Sequence, residues 1–259
     1  MTADPAAVAE VLLRERRAHR KLIPFPAGAG PASEAEGIAA QHALAERMGG
    51  LPPAGFKIGA TAKHMQAYLG LDGPLAGFMP AGGLYASGIR LRFADFQTPA
   101  VECELAMRLA ADLLAGPCSP ERAGAAVGTV SAAIEIVENR YPDLREFGVP
   151  ALIADQMFHA AAVLGAGDPD WRRLDLKAIT GRILVNQSPR GDGKGEELMG
   201  DPLAALAWLA SSPLAAAFGG LKEGQVVMLG TVTPAVWLLG PATVEVHFAP
   251  LSPVLLTLE

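Results

Sequence analysis

Apolar and polar residues follow two different periods along this chain, and the change comes near residue 77. Before residue 77, the spacing of apolar residues predicts helices at residues 4–20, 33–49 and about 61–70, and a strand at residues 55–59. Ser33 and Glu36 form a capping box at the start of the second helix. We therefore expect residues 1–75 to form a small, helical or mixed N-terminal subdomain.

Beyond this point short strands separated by glycine and proline turns replace the helical pattern. Strands are predicted at residues 89–93, 100–110, 130–138, 180–186, 225–232 and 242–248. Helices interrupt them at about 119–127 and 201–211, each opened by a capping residue followed by proline. Residues 151–165 are apolar but fit either element type, and Gly191–Gly193 predicts a turn. The pattern indicates an α+β fold, in which residues 76–259 form a mixed, mostly antiparallel β-domain with peripheral helices.

Composition excludes several classes of protein. The chain has 259 residues, 51% of them hydrophobic, which is enough for a sizeable core, and its net charge of -6 argues against nucleic-acid or anionic-membrane partners. No apolar run reaches the ~18–20 residues of a membrane span, and the N-terminus lacks the pattern of a secretory signal. The two cysteines, Cys103 and Cys118, indicate neither a disulfide scaffold nor a zinc site, so we expect a cytoplasmic protein.

Glu102 and Glu104 place two carboxylates on the same face of a predicted strand, because residues two apart on a strand share a face. Their neighbours are apolar, and like charges in an apolar setting are costly unless a cation lies between them. A third carboxylate follows in a second apolar stretch, from Glu135 or Glu138. Oxygen ligands of this kind favour Mg²⁺. The alternative is a half-exposed strand whose carboxylates face water.

Lys57 lies between Phe56 and Ile58 on the short strand at 55–59, so its side chain is expected to point away from theirs. A buried lysine beside a metal site can hold a substrate carboxylate or relay a proton. The alternative is an ordinary surface lysine on an amphipathic strand.

Seven segments in order resemble the fumarylacetoacetate hydrolase superfamily. They are Gly55–Thr61, Met65–Gly70, Val101–Ala106, Ala133–Arg140, Asp201–Leu209, Leu221–Gly224 and Leu229–Thr231. The branch that they resemble most comprises the 2-hydroxypenta-2,4-dienoate (2-keto-4-pentenoate) hydratases and the 4-oxalocrotonate decarboxylases of aromatic-compound catabolism. The resemblance covers the chain from about residue 10 onward. It implies a mixed β-roll with a metal site at its mouth.

The resemblance also implies the residues and the chemistry of that site. Mg²⁺ or Mn²⁺ would be held by Glu102, Glu104 and Glu135, with Glu135 favoured over Glu138 by its place in the motif. Lys57 would be catalytic. The substrate would be a small unsaturated 2-oxo acid that chelates the metal and reacts through an enolate. Hydration of 2-hydroxypenta-2,4-dienoate is the leading interpretation, and the alternatives are 4-oxalocrotonate decarboxylation, acylpyruvate hydrolysis or a non-catalytic partner subunit.

At some positions this chain departs from the pattern of the family that it resembles. Leu75 occupies the place where hydratases often carry an acid/base aspartate, and Ala154–His159 replaces an Asn-containing segment of small residues. Asp155, Thr231 and Leu75 are the candidate substrate-binding residues. His64 and His159 are additional polar groups that could belong to the substrate site. The alternative for His64 is exposure to solvent, and the alternative for His159 is packing within the core. Apolar segments outside the site predict a homo-oligomer, with a complex with a paralogous hydratase or decarboxylase as a further expectation.

Overall fold

The computed structural model describes residues 2–63, 66–67 and 70–259. The helices of these residues are α1 (Pro5–Arg17), α2 (Glu34–Arg47), α3 (Pro120–Ala126), α4 (Gly148–Ala154), α5 (Pro202–Ser211) and α6 (Pro213–Ala217). His64, and with it part of the helix predicted at about 61–70, lies outside the described residues. The N-caps follow the sequence signals: the Ser33 hydroxyl accepts from the Glu36 N–H at 3.3 Å, and Asp201 accepts from the Leu203 N–H at 2.8 Å.

The larger sheet carries the candidate chemistry. Its strands are β1 (Gly55–Gly59), β2 (Leu75–Met79), β3 (Leu84–Ala86), β5 (Pro99–Leu109), β6 (Val127–Glu138), β7 (His159–Leu164), β10 (Val226–Thr231) and β11 (Val236–Trp237). They lie in the order β2-β1-β10-β5-β6-β7-β3, with β11 beside β5. The long, antiparallel β5–β6 pair is central, and β10 pairs with β5 on one side and in parallel with β1 on the other.

The smaller sheet is formed by β4 (Ile89–Leu91), β8 (Thr180–Val185), β9 (Ser188–Lys194), β12 (Ala242–Phe248) and β13 (Val254–Leu258), in the order β4-β13-β12-β8-β9. Most pairings in the two sheets are antiparallel, and the parallel ones are β1–β10, β3–β7 and β4–β13. The predicted class, a mixed and mostly antiparallel β structure with peripheral helices, is confirmed. An apolar core connects the sheets and the helices.

Several elements differ from the sequence-based prediction. Gly191–Gly193, predicted as a turn, lies within β9, because that strand pairs with β8 through an exposed hairpin that needs no apolar face. Residues 151–165 contain the end of α4, the short turn Gln156–Phe158 and the whole of β7. Strands β2, β3, β11 and β13 lie outside the predicted strands, since none alternates regularly between apolar and polar positions, and β7 lies in the segment whose type the sequence left open.

The N-terminal helices pack directly against the sheet. Gln41 of α2 is fully buried, and its side chain donates to the carbonyls of Ala76 and Ile153 and accepts from the N–H of Phe78. Strand β1 is likewise hydrogen-bonded within the larger sheet. The larger sheet therefore contains strands from both sides of the predicted domain boundary after residue 75, and that boundary stays a prediction.

Among the described residues, no helix combines the length and the apolar character that crossing a membrane requires.

Candidate metal centre

Three glutamates from the two central strands converge at the end of the larger sheet. Glu102 and Glu104 lie two apart on β5, and Glu135 on β6 is the direct cross-strand partner of Glu102. One carboxylate oxygen from each of the three lies within 4.8 Å of the others. Glu104 and Glu135 are fully buried, whereas Glu102 is partly exposed. The register of β5 and β6 therefore creates the cluster that the spacing of the first two residues suggested.

Each buried carboxylate has one oxygen bonded to the protein and one without a partner. Glu104 Oε2 accepts from the N–H of Gly230 at 2.9 Å. Glu135 Oε1 accepts from His159 Nδ1 at 2.8 Å and lies 3.4 Å from Lys57 Nζ. Glu104 Oε1 and Glu135 Oε2 have no hydrogen-bond partner among the described residues. A buried acceptor left unpaired is costly, so this pair of oxygens fits a ligand that brings positive charge.

The electrostatics point the same way. Burial, together with the charge of Glu135, raises the pKa of Glu102 to about 7. Burial and the two neighbouring carboxylates raise the pKa of Glu104 well above its ordinary value. The pKa of Glu135 is instead lowered, because Lys57 and His159 outweigh its burial. Without a cation Glu102 and Glu104 therefore resist ionisation beside the charged Glu135, which is the condition that a divalent ion would relieve.

The donor set fits Mg²⁺ or Mn²⁺. All three side chains offer carboxylate oxygens, the ligands that these hard cations prefer, and no cysteine joins the cluster. Glu138, the alternative third ligand, lies apart from the cluster because its oxygens accept from Arg140 and from the Gln97 N–H.

Lys57 is held beside the cluster by β1. Its side chain is 3% exposed, while Phe56 and Ile58 on either side are buried in the apolar core. A Cβ at Gly59 would lie 3.3 Å from Lys57 Nζ and 3.1 Å from Met157 Cε, so the missing side chain leaves room for the ammonium group. The surface-lysine alternative is therefore wrong.

A cavity of about 510 Å³ opens from Lys57 and Glu102. Its walls are mainly apolar and include Met157 and Phe158 ahead of β7 and Val232 after β10. Among the described residues, the other charged side chains that line the cavity are Asp192 and Glu197, both exposed to solvent. This arrangement places one ammonium group at the floor of the cavity and negative charge at its rim.

Gly230 fixes one wall of the site through its backbone. Its φ is +103°, and a Cβ there would lie 2.7 Å from the Thr61 side chain. The register of β10 against β5 shifts between Met228 and Thr231, which turns the Gly230 N–H toward Glu104. A residue with a side chain would meet both the steric contact and the left-handed backbone penalty.

Of the predicted substrate-binding residues, Thr231 lines the cavity and Leu75 does not. Thr231 lines the cavity, but its hydroxyl donates to the Thr233 carbonyl at 2.7 Å and accepts from the Cys103 and Thr233 N–H groups. Leu75 is buried opposite Gly59 in the β1–β2 pair and is not part of the cavity lining. The geometry favours a turn-stabilising role for the Thr231 hydroxyl and gives no support to substrate contact by Leu75.

Asp155 also lies outside the cavity, in a buried cluster of charges. Its carboxylate accepts from Arg16 at 2.5 Å and from Arg140 at 2.8 Å, and both arginines also donate to its main-chain carbonyl. The two arginines hold the pKa of this fully buried carboxyl below its usual range despite its burial. Asp155 therefore joins α1 to the chain that leads into β7, a structural position that its sequence neighbours do not reveal.

His159 is the polar group whose position the sequence left open. It is buried, and its Nδ1–H donates to Glu135. Burial lowers the pKa of the imidazole below its ordinary value, although Glu135 acts in the opposite direction. The replacement of a small residue in the resembling motif was the available signal, but the partner could be identified only from the pairing of β6 with β7.

Comparison with known proteins agrees with this geometry. Residues 60–257 match the model of the fumarylacetoacetate hydrolase C-terminal family. The chain belongs to that family. Among curated members, it is 33% identical over 185 residues to the 2-hydroxyhexa-2,4-dienoate hydratase of Comamonas testosteroni, covering 70% of this chain and 69% of that protein.

Two further comparisons bear on the branch and on the fold of this family member. It is 32% identical over 195 residues to a 2-keto-4-pentenoate hydratase of Burkholderia vietnamiensis, covering 74% of this chain and 73% of the relative. Its fold matches that of the 4-oxalocrotonate decarboxylase from Pseudomonas putida G7, complexed with magnesium and adipate, with a TM-score of 0.90 at 21% identity over 98% of this chain and 97% of that one. The predicted family and fold are thus confirmed.

Proposed function

We propose that the protein is a divalent-metal-dependent lyase that hydrates a small, unsaturated 2-oxo acid of the 2-hydroxypenta-2,4-dienoate type, in the catabolism of aromatic compounds. The observation that carries the proposal is the cluster of Glu102, Glu104 and Glu135 with Lys57 at the floor of a mostly apolar cavity. The names of the hydratase relatives support the reaction class.

The three glutamates would hold Mg²⁺ or Mn²⁺, which is supported by the unpartnered oxygens of Glu104 and Glu135. A bound cation would supply positive charge that stabilises negative charge developing on the substrate oxygens. Glu102 is the ligand nearest the open cavity, because it is the partly exposed member of the cluster and lines the cavity wall.

Lys57 would act on the substrate directly. Its ammonium group is buried beside Glu135 Oε1 at 3.4 Å, on the cavity side of the cluster. From this position it would bind the carboxylate or the 2-oxo oxygen of the substrate and deliver or accept a proton there. The apolar walls would strengthen these interactions by reducing the access of water to the reacting atoms.

The charges around the cavity favour a monocarboxylate over a dicarboxylate. With the first carboxylate at Lys57, the second carboxylate of a substrate such as 2-oxohex-3-enedioate would meet no cationic lining residue among those described. It would approach Glu197 and Asp192, and of these Asp192 is paired with Arg182 outside the cavity. An apolar tail would instead contact Met157 and the other apolar walls. This supports hydration of a dienoate over decarboxylation of a diacid.

The test measures metal binding and turnover with both substrates. Purified protein is titrated with Mg²⁺ and Mn²⁺, and 2-hydroxypenta-2,4-dienoate and 2-oxohex-3-enedioate are supplied separately. We expect metal-dependent loss of the dienoate absorbance, and CO₂ release from the diacid instead would identify a decarboxylase. Metal binding with neither reaction would point to hydrolysis of an acylpyruvate. Failure to bind either metal would refute the proposal and favour a non-catalytic partner subunit.

Two variants separate binding from chemistry. Glu102→Gln should abolish metal binding and turnover, whereas Lys57→Met should retain metal binding and lose at least about 100-fold in kcat, the usual scale of a lost general acid or base. Glu10→Gln, at an exposed position on α1, serves as the control and should leave both unchanged. Retained metal binding in the Glu102 variant would contradict the assignment of the site.

We further propose that the enzyme forms the predicted homo-oligomer in the cytoplasm. Support comes from large apolar side chains at the surface, of which Leu239 is fully exposed and Trp237, at the cavity wall, is half exposed. Sedimentation velocity of the purified chain measures the oligomeric state, and a monomer at micromolar concentration would contradict this expectation.

A further inference from the structure

His159 is a buried histidine with an unusual balance of hydrogen bonds. Its ring is 1% exposed, and its Nδ1 lies 2.8 Å from Glu135 Oε1, while Nε2 has no partner among the described residues. A ring nitrogen that faces a carboxylate oxygen at this distance must carry the proton, so Nδ1 is the donor. Burying a second ring nitrogen without a partner is unfavourable, and within the described part of the chain the bond to Glu135 is the hydrogen bond of the ring that offsets this cost.

This bond acts on the orientation of Glu135. His159 and Lys57 both approach Oε1, which leaves Oε2 without a hydrogen-bond partner among the described residues, and Glu135 is the residue that forms the cluster with Glu102 and Glu104. A carboxylate on a flexible side chain could otherwise rotate and exchange its two oxygens. With Oε1 held by the hydrogen bond from His159 and the ion pair with Lys57, Oε2 would be the oxygen free to bind a metal.

The chain before His159 adopts a conformation that places the ring at this point. Gln156, Met157 and Phe158 have φ values of +58°, +52° and +66°, so three consecutive residues other than glycine lie in the left-handed region. Each such residue costs about 1–2 kcal/mol relative to the right-handed conformation. A run of three persists only where the surroundings hold it in place, and such outliers concentrate at functional sites.

The surroundings hold this segment firmly. Arg16 and Arg140 both donate to the main-chain carbonyl of Asp155, and Arg140 also donates to the carbonyl of His159 at 3.2 Å. The Gln156 side chain donates to the Phe78 carbonyl at 2.8 Å. These buried contacts fix the backbone on both sides of the left-handed turn, and the imidazole is thereby fixed beneath Glu135.

We propose that His159 is a positioning residue, which orients Glu135 so that its free oxygen completes the metal site. The inference rests on the proposed metal-dependent function and adds a residue to its machinery. His159 is not among the residues that line the cavity, and its side chain is hydrogen-bonded to Glu135 and not to Glu102 or Glu104, so its role is to set the ligand geometry rather than to contact the substrate.

The test compares two substitutions of similar shape. His159→Asn keeps an N–H donor near the position of Nδ1, and His159→Leu removes it. Isothermal titration with Mn²⁺, confirmed by electron paramagnetic resonance of free Mn²⁺, measures the dissociation constant of each full-length variant. We expect the Leu variant to bind at least about tenfold more weakly than wild type, the usual scale for a lost hydrogen bond to a metal ligand. The Asn variant should stay within about threefold, given the retained donor.

Equal affinity in the Leu variant and wild type would overturn the inference, as would equal losses in the Asn and Leu variants, which would indicate that ring volume alone matters. If the Leu variant does not fold, His159→Gln replaces it, because the longer side chain moves the amide away from the Nδ1 position and should show the same loss. Wild-type protein that binds no metal would refute the proposed function itself, so the two failures are distinguishable.

Discussion

Removing a charge from the metal centre should stabilise the metal-free protein. The pKa of Glu102 is raised from 4.5 to about 7, chiefly by burial and then by Glu135. The folded state therefore holds its proton to higher pH than the unfolded chain does, and stability falls as pH rises from about 4.5 to 7. At about 1.4 kcal/mol for each pH unit, the full penalty at pH 8 is about 3 kcal/mol.

Glu102→Gln is isosteric and cannot ionise, so it should recover this free energy of unfolding. Urea unfolding in EDTA at pH 8 should show an increase of up to about 3 kcal/mol, and at pH 5 an increase of less than about 1 kcal/mol, because most of the penalty has not yet developed there. The exposed Glu10→Gln variant should change stability by less than about 0.5 kcal/mol at either pH.

A gain that is absent at pH 8, or equal at the two pH values, would contradict a stability penalty from ionisation of Glu102. Equal gains would mean that the substitution improves packing rather than relieving charge. Adding Mn²⁺ sharpens the contrast, since the ion should raise the stability of wild type and leave the Gln variant unchanged. The Glu102→Gln variant would then be more stable than wild type without metal, and this difference in stability would shrink or disappear when Mn²⁺ is added.

Two further substitutions test the supporting structure. Gly230→Ala should lower the free energy of unfolding by about 3 kcal/mol and weaken Mn²⁺ binding, because the φ of +103° and the contact with Thr61 leave no room for a Cβ. The control is Gly28→Ala, at an open position with positive φ. It should lower the free energy of unfolding by only about 1 kcal/mol and leave metal binding intact. Arg140→Ala should cost about 3 kcal/mol in urea unfolding, since it breaks a buried ion pair, whereas loss of an exposed ion pair in Arg182→Ala should cost less than about 1 kcal/mol. Similar costs for the two glycine variants would contradict the role assigned to the contact with Thr61, and similar costs for the two arginine variants would contradict the role assigned to burial.

The sequence was most informative where local spacing decides geometry. Glu102 and Glu104 share a face because they lie two apart on one strand, and the structure brings them together with Glu135 as the motif implied. The helix starts at Ser33 and Asp201 were also readable, since a cap acts within three residues. The assignment of these glutamates as ligands stays a prediction that the binding experiments test.

Features that depend on distant pairing could not be read in the same way. Asp155 meets Arg16 across most of the chain, and His159 meets Glu135 only because β7 lies beside β6. Strand β9 has no buried face, so its residues carried the glycine-rich signature of a turn. Such contacts are set by the register of the sheet, which a single sequence does not specify by periodicity alone.

The parallel pairing of β1 with β10 also bears on the order in which the protein is made. Gly55 is paired with Val226, so the strand that carries Lys57 leaves the ribosome long before its neighbour exists. Closing so long a loop is slow, and until it closes both β1 and β5 lack the strand that separates them in the sheet. The Gly230 N–H that donates to Glu104 is synthesised at the same late stage. With the metal ligands proposed above, the site therefore gains its last supporting contact only after synthesis through residue 231, and until then the edges of β1 and β5 that face β10 have no partner strand.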